Sequence, residues 1–119
     1  MDVRHESCQD PVLETLVITA NHHDIEVNLL LTVDGFLVSG AIISAKEYLL
    51  KCGKQFEKNV DDKAKILSEK FYEASKRAED HKAATYIHLK NVQIKGKQVS
   101  ASSYWRCRIE DVRGFVIGN

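Results

Sequence analysis

The stretch Asp34 to Glu47, Asp-Gly-Phe-Leu-Val-Ser-Gly-Ala-Ile-Ile-Ser-Ala-Lys-Glu, leaves this chain little freedom. It compresses a turn, a strand and a helix start into one short run. Asp34-Gly35 predicts a hairpin, because Gly35 takes the positive φ that a tight primed turn needs. Phe36 to Ile43 is then an apolar, β-branched run of strand length. Ser44-Ala45-Lys46-Glu47 has the form of a capping box, with the Ser44 hydroxyl accepting from the Glu47 amide and the Glu47 carboxylate reaching back. Sheet therefore gives way to helix at Ser44.

The flanking sequence extends this plan in both directions. Upstream, Ile25, Val27, Leu29, Leu31 and Val33 recur at every second position, as one buried strand face does. Before them, Asp10-Pro11 is a helix start, and Leu13, Leu16, Val17 and Ala20 share one helical face that ends at Asn21-His22-His23-Asp24. Downstream, residues 44–84 are helical and charged. Tyr48, Leu49, Cys52 and Phe56 make one apolar stripe; Ile66, Leu67, Phe71, Ala74 and Ala78 make a second. Gly53 weakens the first helix, a break falls near Asn59-Val60, and Asp61 or Asp62 caps the next segment.

The last third returns to sheet. Tyr86 to Ile94 alternates, with Ile87 and Leu89 opposite His88 and Lys90. Lys95 to Ser103 is a polar loop and the best candidate for disorder. Tyr104 to Ile109 alternates again, Arg113-Gly114 is expected to turn the chain, and Phe115 to Ile117 closes it as a short strand. Gly40 marks a bulge or bend inside its strand.

The expected fold is a single α+β domain over residues 10–119, behind a flexible N-terminus of residues 1–9. Its centre is a mainly antiparallel five-stranded meander with an N-terminal helix and a long helical insertion between strands 2 and 3. Sm-like and SH3-like small barrels share this plan by analogy; an open curved sheet covered by the helices is the alternative. Leu16, Ile25, Val27, Leu29, Leu31, Val38, Ile87, Leu89, Trp105, Ile109 and Phe115 are expected to share one core, because the strands and first helix must bury the same face.

Composition bounds the function. Seventeen basic and seventeen acidic residues cancel, which argues against a general binder of nucleic acid or anionic membranes. No apolar run approaches the roughly 20 residues of a membrane span, and Met-Asp-Val-Arg-His-Glu lacks the apolar core of a signal peptide. Cys8, Cys52 and Cys107 are an odd, scattered set that fits a reducing cytosol.

Few residues offer chemistry. His22-His23 could meet His5 or Cys8 at a metal, but adjacent residues splay apart, and a polar helix end explains them better. Cys107 lies between Arg106 and Arg108, yet strand alternation turns both arginines away from it. His88 has no nucleophile or orienting carboxylate at a motif spacing, so no catalytic residue is assigned and no cofactor is expected. Lys90, Lys95, Lys97, Arg106, Arg108 and Arg113 bunch in the last third. With Tyr86 and Tyr104 they could make a basic aromatic face for RNA, or a solvated face balanced by Glu110 and Asp111.

Three strings carry a resemblance. Ser-Gly-Ala-Ile-Ile-Ser-Ala-Lys-Glu-Tyr at 39–48, Tyr-Ile-His-Leu-Lys-Asn-Val-Gln-Ile at 86–94, and Trp-Arg-Cys-Arg-Ile-Glu-Asp-Val-Arg-Gly-Phe-Val-Ile-Gly at 105–118 resemble the gas vesicle accessory protein U (GvpU) family. Their order and spacing match, from about Leu13 to Gly118. The resemblance implies a small, cytoplasmic, non-enzymatic accessory protein associated with gas vesicles, the protein-walled compartments that give cells buoyancy. It implies gas vesicle shell or other gas vesicle proteins as partners and supplies no catalytic or ligand residues. The family can carry a polar, Ser/Lys-rich tail; the sequence here runs to Asn119, so no function of such a tail carries over.

Two functional classes follow. In one, the chain is a homo-oligomeric adaptor that binds or clusters vesicles through its helical insertion, with some of Phe56, Ile66, Phe71 and Tyr72 left over as apolar anchors once the sheet is covered; the competing account packs both helices on the sheet and on each other with nothing apolar outside. In the alternative it is an Sm-like oligomeric RNA-binding protein.

Overall fold

A computed structural model describes residues 9–78, 84–100 and 102–118. Asp34 and Gly35 both take left-handed backbone, φ 49° and 82°, and this primed turn joins β1 (Asn28–Val33) to β2 (Phe36–Ile43) with Val33 facing Phe36. Two helices follow, α2 (Ala45–Glu57) and α3 (Asp62–Arg77). Then come β3 (Tyr86–Ile94), β4 (Tyr104–Arg108), a 3₁₀ turn at Ile109–Asp111, and β5 (Val112–Ile117). Before the sheet runs α1 (Pro11–His22), capped by the Asp10 carboxylate on the Val12 amide at 2.8 Å.

Every strand pairing is antiparallel, in the order β4-β3-β2-β1-β5. Strands 1 to 4 form the expected meander, interrupted by the helical hairpin, while β5 crosses to the far edge beside β1. That crossing bends the sheet. Four strand spacings would hold the two edges about 19 Å apart in a flat sheet. The backbone from Arg108 to Val112 reaches at most about 14 Å. The sheet therefore curls until its edges approach at the 3₁₀ turn. Among the described residues β4 and β5 do not pair, so the barrel is not closed by a ladder.

A bulge sets which residues face inward. Asn91 takes φ 54°, and the β2–β3 register shifts between Ser39 and Ala41. The shift lets Val92 and Ile94 join Ile87 and Leu89 on the core side, which strict alternation forbids. Gly40 lies opposite the bulge, as the sequence suggested. A Cβ there would stand 2.8 Å from the Lys90 carbonyl oxygen, so only glycine fits.

The core joins Leu13, Val17 and Ala20 of α1 to Leu29, Leu31, Val38, Ile42, Ile87, Leu89, Val92 and Ile109. Leu16, Ile25, Val27, Trp105 and Phe115 pack on it half-buried, so the predicted core belongs to one cluster in a single compact α+β domain.

Two expectations are corrected. Arg113-Gly114 does not turn the chain; it lies inside β5, with Gly114 opposite Thr32. The chain instead leaves β4 at the 3₁₀ turn Ile109–Asp111 and crosses to β5, which runs in the same sense. There the buried Ile109 donates its amide to the Thr85 carbonyl at 2.8 Å, and Arg108 pairs with Glu110 at 2.8 Å. The first strand begins at Asn28 rather than Ile25, although the Val27 carbonyl still accepts from the Ile42 amide at 2.9 Å. Gly53 lies within α2, which runs through it unbroken, and is a buried residue of that helix. Of the expected flexible N-terminus, residues 1–8 lie outside the described residues, and the Gln9 amide donates to Glu14 and to the Ala84 carbonyl.

Candidate interaction surface

The helical hairpin is built from three caps and a narrow seam. The Ser44 hydroxyl accepts from the Glu47 amide at 3.0 Å, and Asn21 at the end of α1 accepts from the Ala45 amide at 2.9 Å. The Glu47 carboxylate does not return the capping-box bond; it lies 3.9 Å from the Lys90 ammonium. Asp61 caps α3 through the Lys63 amide. The seam between the helices is lined by small groups, Gly53, Ala64, Ser68 and Ser75. The Ser68 hydroxyl donates to the Gly53 carbonyl at 2.9 Å across it. Such residues let two backbones approach closely but bury little apolar area.

The four predicted anchors divide. Phe56 and Phe71 stack on each other, ring centroids 5.8 Å apart and nearly parallel. Tyr72 lies over Gly53 and donates its hydroxyl to Glu57 at 2.6 Å. These three residues are half-buried parts of the hairpin itself. Ile66 alone stands free, 56% exposed on α3. The sequence-based choice passed over two neighbours: Leu67 is 44% exposed, and Val60 in the interhelical turn is 93% exposed. Leu67 lies one turn before Phe71, a spacing that would have flagged it as the outward continuation of the aromatic pair. Exposed Lys63, Lys65, Glu69 and Lys70 surround these residues along α3.

The basic aromatic face is folded onto itself. Arg106 stacks over the Tyr86 ring at 3.9 Å, Lys51 lies over Tyr104 at 5.6 Å, and Lys97 lies over Phe36 at 5.1 Å. Lys90 lies between Glu26 at 3.4 Å and Glu47. The rings that would stack on bases are already faced by the chain's own cations.

His88 is buried beneath α2, 4% exposed, with the Tyr48 ring 4.7 Å away. Burial first, and the Arg106 guanidinium second, pull its pKa down to about 4, so the imidazole is neutral at pH 7. Its Nδ1 is buried without a hydrogen-bond partner. Cys107 is half-buried, and its thiol is pushed up to about 11, by burial ahead of the Asp111 and Asp34 charges. Among the described residues no three His, Cys, Asp or Glu side chains converge as a metal site, and no helix is long and apolar enough to cross a membrane. His5 and Cys8, named beside His22-His23, lie outside the described residues.

A curled five-stranded sheet with a leading helix and a helical hairpin thus exposes Val60, Ile66 and Leu67 on the hairpin, and Val12, Phe36, Val99, Val116 and Ile117 elsewhere. A family profile described as "Gas vesicle protein GvpU-like" matches residues 10–119. The chain belongs to that GvpU-like family of gas vesicle proteins. No curated protein and no solved structure matches it.

Proposed function

We propose that the protein is a non-enzymatic, cytoplasmic accessory of gas vesicles. It acts as a homo-oligomeric adaptor that binds the vesicle shell or other gas vesicle proteins and clusters vesicles. One observation carries the mechanism: Ile66 and Leu67 stand exposed on α3, a helix packed chiefly on α2, among exposed lysines and glutamates. Apolar side chains grouped on a charged helix are a common anchor for a partner groove or a second helix. Family membership supplies the vesicle as the setting. Phe56, Phe71 and Tyr72 serve this surface by holding α2 and α3 together.

The test pairs light-scattering mass with co-sedimentation on purified vesicles, for wild type and an Ile66→Ser, Leu67→Ser double variant. A multimer that sediments with vesicles, and a folded variant that loses both properties, are the expected results. A monomeric wild type, or a folded variant that binds like wild type, would overturn the adaptor mechanism. No observation favours the RNA-binding alternative. A steep loss of RNA affinity with salt would revive it.

A further inference from the structure

All three helices and the sheet meet around a cavity of about 440 Å³. Asn21 of α1, Leu49 of α2, Arg77 of α3, Tyr86 and His88 of β3 and Arg106 of β4 line it, with alanines between them. Its charge is one-sided. Two arginines line it, and no described acidic residue does. Neither arginine pairs with a described acid. The Arg106 guanidinium carbon lies 3.9 Å from the centroid of the Tyr86 ring, a cation–π contact that leaves donor N–H groups for an acceptor. Asn21 is oriented by accepting from the Ala45 amide, so its NH₂ remains as a donor. The independent sign of a missing partner is His88, nine-tenths buried with its Nδ1 unbonded. An orphaned buried polar atom is costly, and a ligand that hydrogen-bonds to it would recover that cost.

We propose that this cavity binds a small organic anion, its phosphate or carboxylate head held by Arg77 and Arg106 and its compact body packed against Leu49 and the alanines. Guanidinium forks match either head group, and charge-assisted bonds of this kind are the strong ones. The volume falls in the range of small-molecule pockets, about 300–1,000 Å³. His88, neutral because of its burial, offers a hydrogen bond to an uncharged polar group on the body rather than a second charge. Because the walls come from both the hairpin and the sheet, an occupant would tie one to the other. This site does not depend on the adaptor mechanism.

The competing occupant is intramolecular. Glu79 and Asp80 follow Ala78 in the sequence and lie outside the described residues. The probes are AMP, benzoate, orthophosphate and adenosine, titrated into the full chain at constant ionic strength and followed by ¹H–¹⁵N spectra and thermal shift. Saturable binding of AMP or benzoate is expected, with shifts at Asn21, His88 and Arg106; which probe binds identifies the head group. Adenosine, lacking a head, should not bind. Arg106→Gln should weaken binding by at least about tenfold, and Arg106→Lys, which keeps the charge without the fork, by less. Dispersed spectra establish that each variant folds. No saturable binding of any anion below about 10 mM would overturn the proposal, since weaker contact is not recognition. So would unchanged affinity in a folded Arg77→Gln, Arg106→Gln double variant. Binding that emerges only in a Glu79→Gln, Asp80→Asn variant would also overturn it, by assigning the cavity to the chain's own carboxylates. Orthophosphate binding alone, without AMP or benzoate, would reduce it to an ion site and reject the organic ligand.

Discussion

The Tyr72 ring occupies the space that a side chain at Gly53 would need: a Cβ there would lie 2.7 Å from its Cε1. Glycine in a helix interior normally costs about 1 kcal/mol relative to alanine. Here it lets α3 approach α2 closely enough for the Ser68 hydroxyl to reach the Gly53 carbonyl. Gly53→Ala should therefore destabilise the wild type by about 1–3 kcal/mol, as overpacking does. In a Tyr72→Ala background the same change should be neutral or stabilising, by up to about 1 kcal/mol. Urea midpoints for the four proteins of this cycle measure the difference. Equal effects in both backgrounds would mean that the contact does not constrain the helix pair.

Leu29 is 1% exposed in β1, between its partners Gly40 of β2 and Ile117 of β5. Leu29→Ala should cost about 2–5 kcal/mol, the range for truncating a buried leucine. An unchanged urea midpoint would place Leu29 outside the core.

The sheet was legible because its signals are local. Asp34-Gly35 names its own turn, and Leu29, Leu31, Ile87 and Leu89 name their own face by alternation. The crossing to β5 and the bulge in β3 were less legible. Asn91 interrupts alternation without a glycine or proline to announce it, so Val92 could not be assigned to the core. Arg113-Gly114 looks like a turn, but Gly114 is taken up by pairing with Thr32, a long-range choice that no local window reveals. The same limit applied to the surface. The contacts of Phe56 with Phe71 and of Tyr72 with Gly53 cross the helix break, so no local window shows them. The 440 Å³ cavity could not be foreseen, because its lining comes from five separate elements.

Ser44 caps α2 through the Glu47 amide. Ser44→Ala should cost about 0.5–2 kcal/mol, expressed as fraying of that end. Asn21 still holds the Ala45 amide, so the loss should be partial. Removing both caps, as Asn21→Ala with Ser44→Ala, should raise amide exchange at Ala45 to Glu47 more than either alone. Unaltered exchange in the double variant would show that packing on β3, not capping, holds this end.

His88 gives a pH dependence whose sign is fixed by its burial. Its ordinary pKa is 6.5 and its folded pKa is about 4, lowered by desolvation and then by Arg106. The unfolded chain therefore binds a proton at a higher pH than the folded chain. Stability from this group is complete above pH 6.5 and is lost as pH falls toward 4. The full loss is at most about 3 kcal/mol, from roughly 1.36 kcal/mol per pKa unit. The Tyr48 ring against the imidazole adds no charge in this range, since its own hydroxyl pKa is raised by burial. Urea midpoints at about pH 7 and pH 4.5, for wild type and His88→Leu, isolate the term, because the carboxylates common to both cancel in the difference. Wild type should lose more stability than the variant over that interval. Parallel losses would mean that His88 is solvated in the folded state, and an NMR titration placing its pKa near 6.5 would confirm that outcome directly.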